Sequence, residues 1–166
     1  MIVIGEASSV IALVQLGQLS LLKKLYTEVY IPHLLYAEVM PIFSDLALSS
    51  SDLLLAVKNR EIQVRSSWED EPVSPHIHSH LTKAEADAVN LAFELGNCYL
   101  LASDRIIRKE AKAAGIISIG LLGLLHQARK SHLIDALTPL LDQLRSKLVQ
   151  PISERLYTEV LQSIHD

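Results

Sequence analysis

Short β-rich runs alternate with longer helical ones through most of this chain, and that alternation limits the folds open to it. Ile2-Val3-Ile4 reads as a strand ended by Gly5. From about Ser9 to Leu25, apolar residues recur at helical spacing (Val10, Leu13, Val14; Leu21, Leu22, Leu25), with a break at Gly17. Glu28-Val29-Tyr30-Ile31 is a second strand. Pro32 has the fixed φ that suits a first helical turn, so a helix is expected to about Met40, with Pro41 marking its end. A further helix is expected from about Ser44 to Lys58, and a strand over Ile62-Gln63-Val64-Arg65. The polar stretch from Ser66 to His80 holds Pro72 and Pro75 and shows no period, which marks a long surface loop.

The alternation then resumes. A helix from Lys83 to Leu95 is closed by Gly96, and Tyr99-Leu100-Leu101-Ala102 is an apolar strand. Ser103-Asp104 opens a helix to Ala114, with Gly115 as its stop. Ile116–Ile119 is a strand, Gly120 turns the chain, and a helix follows to about Lys130. The segments Ile134 to Lys147 and Ser153 to Ile164 are helical with no strand attached. Strands alternating with helices indicate parallel βαβ units. The expected fold is therefore a three-layer α/β/α sandwich with a mainly parallel sheet and a C-terminal helical tail. It is read as one domain over 1–166, with a core to about 131 and a helical extension from about 132. Leu-Tyr-Thr-Glu-Val occurs twice, at Leu25–Val29 and Leu156–Val160, but in different structural contexts, and is taken as chance.

Composition supports a packed domain and excludes several classes of partner. With 49% hydrophobic and 20% charged residues in a chain of 166, there is ample material for one core and no signature of disorder. No apolar stretch approaches the ~20 residues of a membrane span. Ile2-Val3-Ile4 is too short for a signal peptide and runs at once into Glu6, so a cytoplasmic location is expected. The lone Cys98 lies in an apolar run and is read as a small core residue. A net charge of -4 supplies no general attraction to nucleic acid, and 5% aromatic residues do not suggest a base-stacking surface. A polyanion would have to be held by local basic groups or by bound cations.

The acids are the best candidates for chemistry. Ligands of open parallel sheets bind at the carboxyl ends of the strands. Glu6 follows the first strand and Asp104 follows the apolar strand near residue 100, so both face one crevice if those strands are neighbours. Helical spacing puts Glu38 between Leu34 and Leu35 on an inward stripe, where an unpaired acid is costly. Glu85 heads the stripe Ala88, Val89, Ala92, whereas Asp87 falls with Lys83, Asn90 and Glu94 on what reads as the solvent side. Each acid also has a plainer explanation. Glu85 completes a Thr82-x-x-Glu85 capping box, Asp104 is placed to cap its helix, and Glu6 fits an ordinary turn. Crowded carboxylates need cations or protons between them, and hard oxygen donors favour Mg²⁺ or Mn²⁺.

Four segments in order resemble the motifs of PIN-domain nucleases. They are Glu6-Ala7-Ser8-Ser9-Val10-Ile11-Ala12-Leu13, then Ile31-Pro32 with Glu38-Val39, then Ala84-Glu85-Ala86-Asp87-Ala88-Val89-Asn90-Leu91-Ala92, and Leu100-Leu101-Ala102-Ser103-Asp104-Arg105. The resemblance covers nearly the whole chain and is greatest to the branch of VapC-type toxins of bacterial toxin–antitoxin modules, where a helical tail is also usual. It implies metal-dependent hydrolysis of RNA phosphodiesters by a site holding one or two Mg²⁺ or Mn²⁺ ions. Carried over by position, Glu6, Glu38, Glu85 and Asp104 are the metal-binding and catalytic set, with Ser8 as a supporting hydroxyl. Two departures stand out: the first acid is normally Asp and here is Glu6, and Ser9 stands where Pro is common.

The resemblance also suggests a use for Arg105, Arg108, Lys109 and Lys112, a basic group on the helix opened by Asp104: holding RNA phosphates beside the metals. The plainer reading is a solvated helix face. His76, His78 and His80 alternate in the long loop, a spacing compatible with a transition metal but equally with exposed polar residues. No phosphate-binding glycine loop, nucleophile elbow or His-Glu-x-x-His helix is present. The alternatives to a ribonuclease are a catalytically impaired PIN-like module that binds a protein or RNA, and an α/β domain whose acids serve only as caps. The apolar stripe Leu137, Leu140, Leu141, Leu144, Leu148 suits a homodimer contact, an antitoxin partner or packing within the chain.

Overall fold

A computed structural model describes residues 1–45, 51–68 and 81–147. By its internal contacts the chain forms two compact units, Met1–Gly120 and Leu121–Asp166. The first holds β1 (Ile2–Gly5), α1 (Ala7–Gln15), α2 (Leu21–Leu25), β2 (Glu28–Ile31), α3 (His33–Asp45), α4 (Ser51–Lys58), β3 (Gln63–Val64), α5 (Lys83–Leu95), β4 (Cys98–Leu101), α6 (Arg105–Ala113) and β5 (Ile117–Ile119). The sheet is parallel throughout, in the order β3-β2-β1-β4-β5. Ile2 pairs with Glu28 on one side and with Cys98 on the other, so β1 is a central strand. From β1 the chain first steps outward through β2 to β3, then crosses to β4 and β5 on the opposite side. Because such crossovers are right-handed, the two directions of travel place connecting helices on opposite faces of the sheet.

The strands are short and apolar because both faces are covered. Ile4, Tyr30 and Leu100 share one cluster with Ala88, Val89 and Ala92 of α5 and with Ile107 and Ala111 of α6. On the other face α1 comes in close over Gly5. A Cβ there would lie 2.9 Å from Val10 Cγ2 and 3.4 Å from Ile31 Cγ2, so the glycine permits the approach of the helix. Gly17, at φ +64, lets the chain turn after α1, and the helical stretch from Ser9 to Leu25 breaks there as expected.

Some expected boundaries differ from the observed ones, and the helix expected from about Ser44 to Lys58 is α4, Ser51–Lys58. Pro41 does not end a helix; α3 runs through it to Asp45. Leu35, Val39 and Phe43 recur every fourth residue and are buried, so the apolar stripe continues past the proline, which is itself exposed. Burying Phe43 completely offsets the lost bond to the Ala37 carbonyl. The expected strand from Tyr99 begins one residue earlier, at Cys98, whose Sγ donates to the Ala92 carbonyl at 3.3 Å. Burial pushes the Cys98 thiol up from its ordinary value.

The second unit contributes α7 (Leu121–Lys130) and α8 (Thr138–Lys147). Leu121, Leu124, Leu125 and Ala128 form the buried stripe of α7, and Leu140, Leu141 and Leu144 that of α8, with Leu137 buried just before it. Leu148, the expected helix Ser153–Ile164 and most of the expected loop, with His76, His78 and His80, lie outside the described residues. No helix of the described residues is long and apolar enough to cross a membrane.

Phe43 supplies a direct test of the continued helix. Phe43→Ala should lower the unfolding free energy by about 3–5 kcal/mol in urea titrations, the usual cost of emptying a buried aromatic site. A loss below about 1 kcal/mol, the range of exposed positions, would show that α3 does end at Pro41.

Candidate functional site

Strand order reverses at β1, because its neighbours β2 and β4 are reached by crossovers running opposite ways. The carboxyl ends of β1 and β4 therefore flank a crevice of the kind in which open α/β sheets bind ligands. Gly5 pairs with Leu101, and the Glu6 N–H donates to the Leu101 carbonyl at 3.1 Å, carrying the ladder one residue further. Glu6 and Asp104 thus leave neighbouring strand ends, as their sequence positions suggested.

Glu6 is buried and caps α1 from an extended backbone (φ -102, ψ 166). Its carboxylate curls back over the helix start and accepts four hydrogen bonds. The Ser8 N–H reaches Oε2 at 3.2 Å, while Oε1 receives the Ser8 hydroxyl (2.5 Å), the Ser9 N–H (2.9 Å) and the Ser9 hydroxyl (2.8 Å). A negative group at this helix end is doubly favoured, by unpaired N–H donors and by the dipole. Ser9 is fully buried, and its Oγ also lies 3.1 Å from the Ser103 Oγ, on the residue before Asp104. That serine bridge between the two strand ends was not foreseen. The two adjacent serines after Glu6 are the residues in the sequence that could have pointed to it.

Asp104 caps α6 from an extended backbone, its Oδ1 accepting from Ile106 N at 2.7 Å and Ile107 N at 3.2 Å. Both bonds fall on one oxygen, so the cap leaves Oδ2 outside it. Glu85 is half-buried and its capping box is complete: its N–H donates to Thr82 Oγ1 at 3.2 Å, and its Oε2 accepts from Thr82 N at 2.8 Å. Glu38 is exposed, not on an inward stripe. The buried face of α3 follows Leu35–Val39–Phe43, and Glu38 lies one turn from Leu34, which is itself 42% exposed. Arg105, Arg108, Lys109 and Lys112 are all exposed on α6. Arg108 reaches back towards the end of β5, its Nη1 lying 3.7 Å from where a Cβ on Gly120 would be.

The donors near the strand ends are carboxylates and hydroxyls, the hard oxygen set suited to Mg²⁺ or Mn²⁺. Yet among the described residues no three His, Cys, Asp or Glu side chains come together in a group able to hold a metal. Glu6 and Asp104 follow the paired ends of β1 and β4, each at the start of its own helix. The acids of the expected pocket are engaged as caps, except Glu38, which stands in solvent.

A second correction concerns α5. Asp87 and Asn90 are buried, not on a solvent face. The extended segment after β3 crosses that side of the helix: Ser67 N donates to Asp87 Oδ1 at 3.0 Å, and Trp68 N to Glu94 Oε1 at 2.7 Å. Arg65 reinforces this seam, its guanidinium carbon lying 5.9 Å from the ring centres of both Tyr30 and Trp68. The apolar period of α5 could not reveal it, because the covering strand is polar backbone. Asp87→Ala leaves the Ser67 N–H without its acceptor and should cost about 1–3 kcal/mol in urea unfolding. Lys83→Ala on the same helix should stay within about 0.5 kcal/mol. Equal effects would return Asp87 to the surface.

Comparison with known proteins gives this arrangement a family. The model of the family DUF3368, described as a PIN domain, matches residues 2–166. Among solved structures, a PilT N-terminus domain protein from the hyperthermophilic archaeon Sulfolobus solfataricus P2 is similar at a TM-score of 0.54 and 22% sequence identity. The match covers 77% of this chain and 93% of that one, and at this identity it speaks to fold alone. No curated protein matches. With a family model spanning essentially its whole length, over a parallel sheet flanked by helices, this chain belongs to the PIN-domain family.

Proposed function

We propose that this protein is a metal-dependent ribonuclease that hydrolyses RNA phosphodiester bonds with Mg²⁺ or Mn²⁺ at the carboxyl ends of β1 and β4. The observation that supports the reading is that Glu6 and Asp104 follow the paired ends of β1 and β4, at the point where strand order reverses, in a chain of a nuclease-type family. When bound, the ion supplies an activated water and offsets the charge gathering on the phosphate. Glu6, Glu38, Glu85 and Asp104 are the residues proposed to hold it, with Ser8 fixing Glu6. Arg105, Arg108 and Lys112 lie exposed on the helix that Asp104 opens, where they can pair with phosphates of the bound strand. Such contacts position RNA without reading its sequence. In a chain of net charge -4 they also concentrate the attraction at one helix.

A second reading is favoured by one specific observation. Glu6 gives its carboxylate to four hydrogen bonds within α1, and a group so engaged is a poor metal ligand until some of them are released. On this reading the chain is a catalytically impaired PIN-like module that binds a partner protein or RNA. A VapC-like toxin role and an antitoxin or second copy as partner belong to the first reading. Such a partner has to cover exposed apolar side chains such as Leu34 and Ile106, because the chain itself buries Leu137, Leu140, Leu141 and Leu144.

The test is cleavage of RNA by the purified protein with and without Mn²⁺. Cleavage that requires Mn²⁺ and falls at least ~100-fold in both Glu38→Ala and Asp104→Ala is the expected result. Cleavage that survives both substitutions sinks the proposal. No cleavage by the natural chain, with a large gain on Glu6→Asp, selects the impaired module instead.

A further inference from the structure

Ser9 does more than begin a helix. It is the third residue of α1, fully buried, and both of its polar groups are directed at other parts of the crevice. Its N–H and its hydroxyl converge on the same Glu6 oxygen, at 2.9 and 2.8 Å. The hydroxyl also meets Ser103 Oγ at 3.1 Å, and Ser103 carries the chain from β4 into Asp104. A hydroxyl offers one proton and two lone pairs. With its proton given to Glu6 Oε1, Ser9 Oγ accepts from the Ser103 hydroxyl, so the three groups form a directed chain ending on the carboxylate. Proline at this position would supply neither the N–H nor the hydroxyl. Glutamate is one methylene longer than aspartate, and that extra length must be held somewhere; here it is folded back onto Ser8 and Ser9.

We propose that Ser9 is a positioning residue of the crevice: it fixes the Glu6 carboxylate and, through Ser103, sets its relation to the strand end that carries Asp104. Glu6 and Ser9 then act as one unit, joined by the two hydrogen bonds that run from Ser9 to the carboxylate. The role rests on the reading of the crevice as a metal centre, since what is positioned is a metal-binding acid. Outer groups that orient ligating carboxylates typically change metal affinity by about 10- to 100-fold when removed.

The experiment uses the full chain, with Mn²⁺ alone as probe and amide NMR spectra of the metal-free protein as a second readout. Ser9→Ala should shift the Ser103 and Asp104 amide signals and weaken Mn²⁺ binding in calorimetry by about 10-fold or more. Ser9→Thr, which keeps both donors, should restore most of the affinity. Ser9→Pro, tolerated in a first helical turn, should fold and bind as weakly as Ser9→Ala. Ser103→Ala combined with Ser9→Ala should be no worse than Ser9→Ala alone, because the two act through one bridge. With RNA as substrate, Ser9→Ala should lower kcat and leave KM unchanged. If the natural chain binds Mn²⁺ and Ser9→Ala binds it equally well, or leaves the Ser103 and Asp104 signals in place, the positioning role is overturned and the metal centre stands. A natural chain that binds no Mn²⁺ overturns both.

Discussion

A sheet whose strands all run one way has to cover both of its faces, and this one does so with strands of four residues or fewer. The demand falls most heavily on β1, the middle strand of the five. Its alternate residues enter two different packing layers, and the helix that follows must come close enough to seal one of them. Gly5 allows that approach, and the chain emerges from β1 directly into the start of α1. The position of Glu6 follows from these constraints before any chemistry is considered. It is buried because α1 is close, and it is tolerable because the same helix end offers N–H and hydroxyl donors.

The acids of the crevice thereby serve two masters. A carboxylate at a helix start stabilises that helix by satisfying its open donors, and the same carboxylate at a strand end faces the ligand crevice. Glu6, Asp104 and Glu85 all make capping bonds, each to a different helix. Asp104 spends one oxygen on the cap, which leaves its other oxygen outside it. Glu6 engages both of its oxygens at its helix start, so its cap is the more complete of the two.

Much of this was legible in the sequence, for reasons that can be named. β2 and α5 were read with their observed boundaries because turn and cap residues bracket a clean period in each. The neighbouring placement of Glu6 and Asp104 followed from reading both as strand-end residues. Errors arose where tertiary packing overrode a local signal. Pro41 has a strong local preference, but Phe43 beyond it is drawn into the core and takes the helix with it. Glu38 was assigned to the wrong stripe because Leu34 and Leu35 are equivalent by composition, and only one of them meets the core. Asp87 and Asn90 read as solvent-facing because helical periodicity registers apolar partners. The segment at Ser67 and Trp68 that covers them contacts α5 through backbone N–H groups, which leave no periodic trace.

The single cysteine has a use that its burial makes available. Cys98 begins β4, directly across the ladder from Ile2 of β1, and the far ends of those two strands carry Asp104 and Glu6. The Cys98 side chain packs in the layer beneath α5, so a reagent reaches the thiol when that layer opens. Its labelling rate is therefore a clock for the rare openings between α5 and the sheet, readable without adding a probe to the molecule.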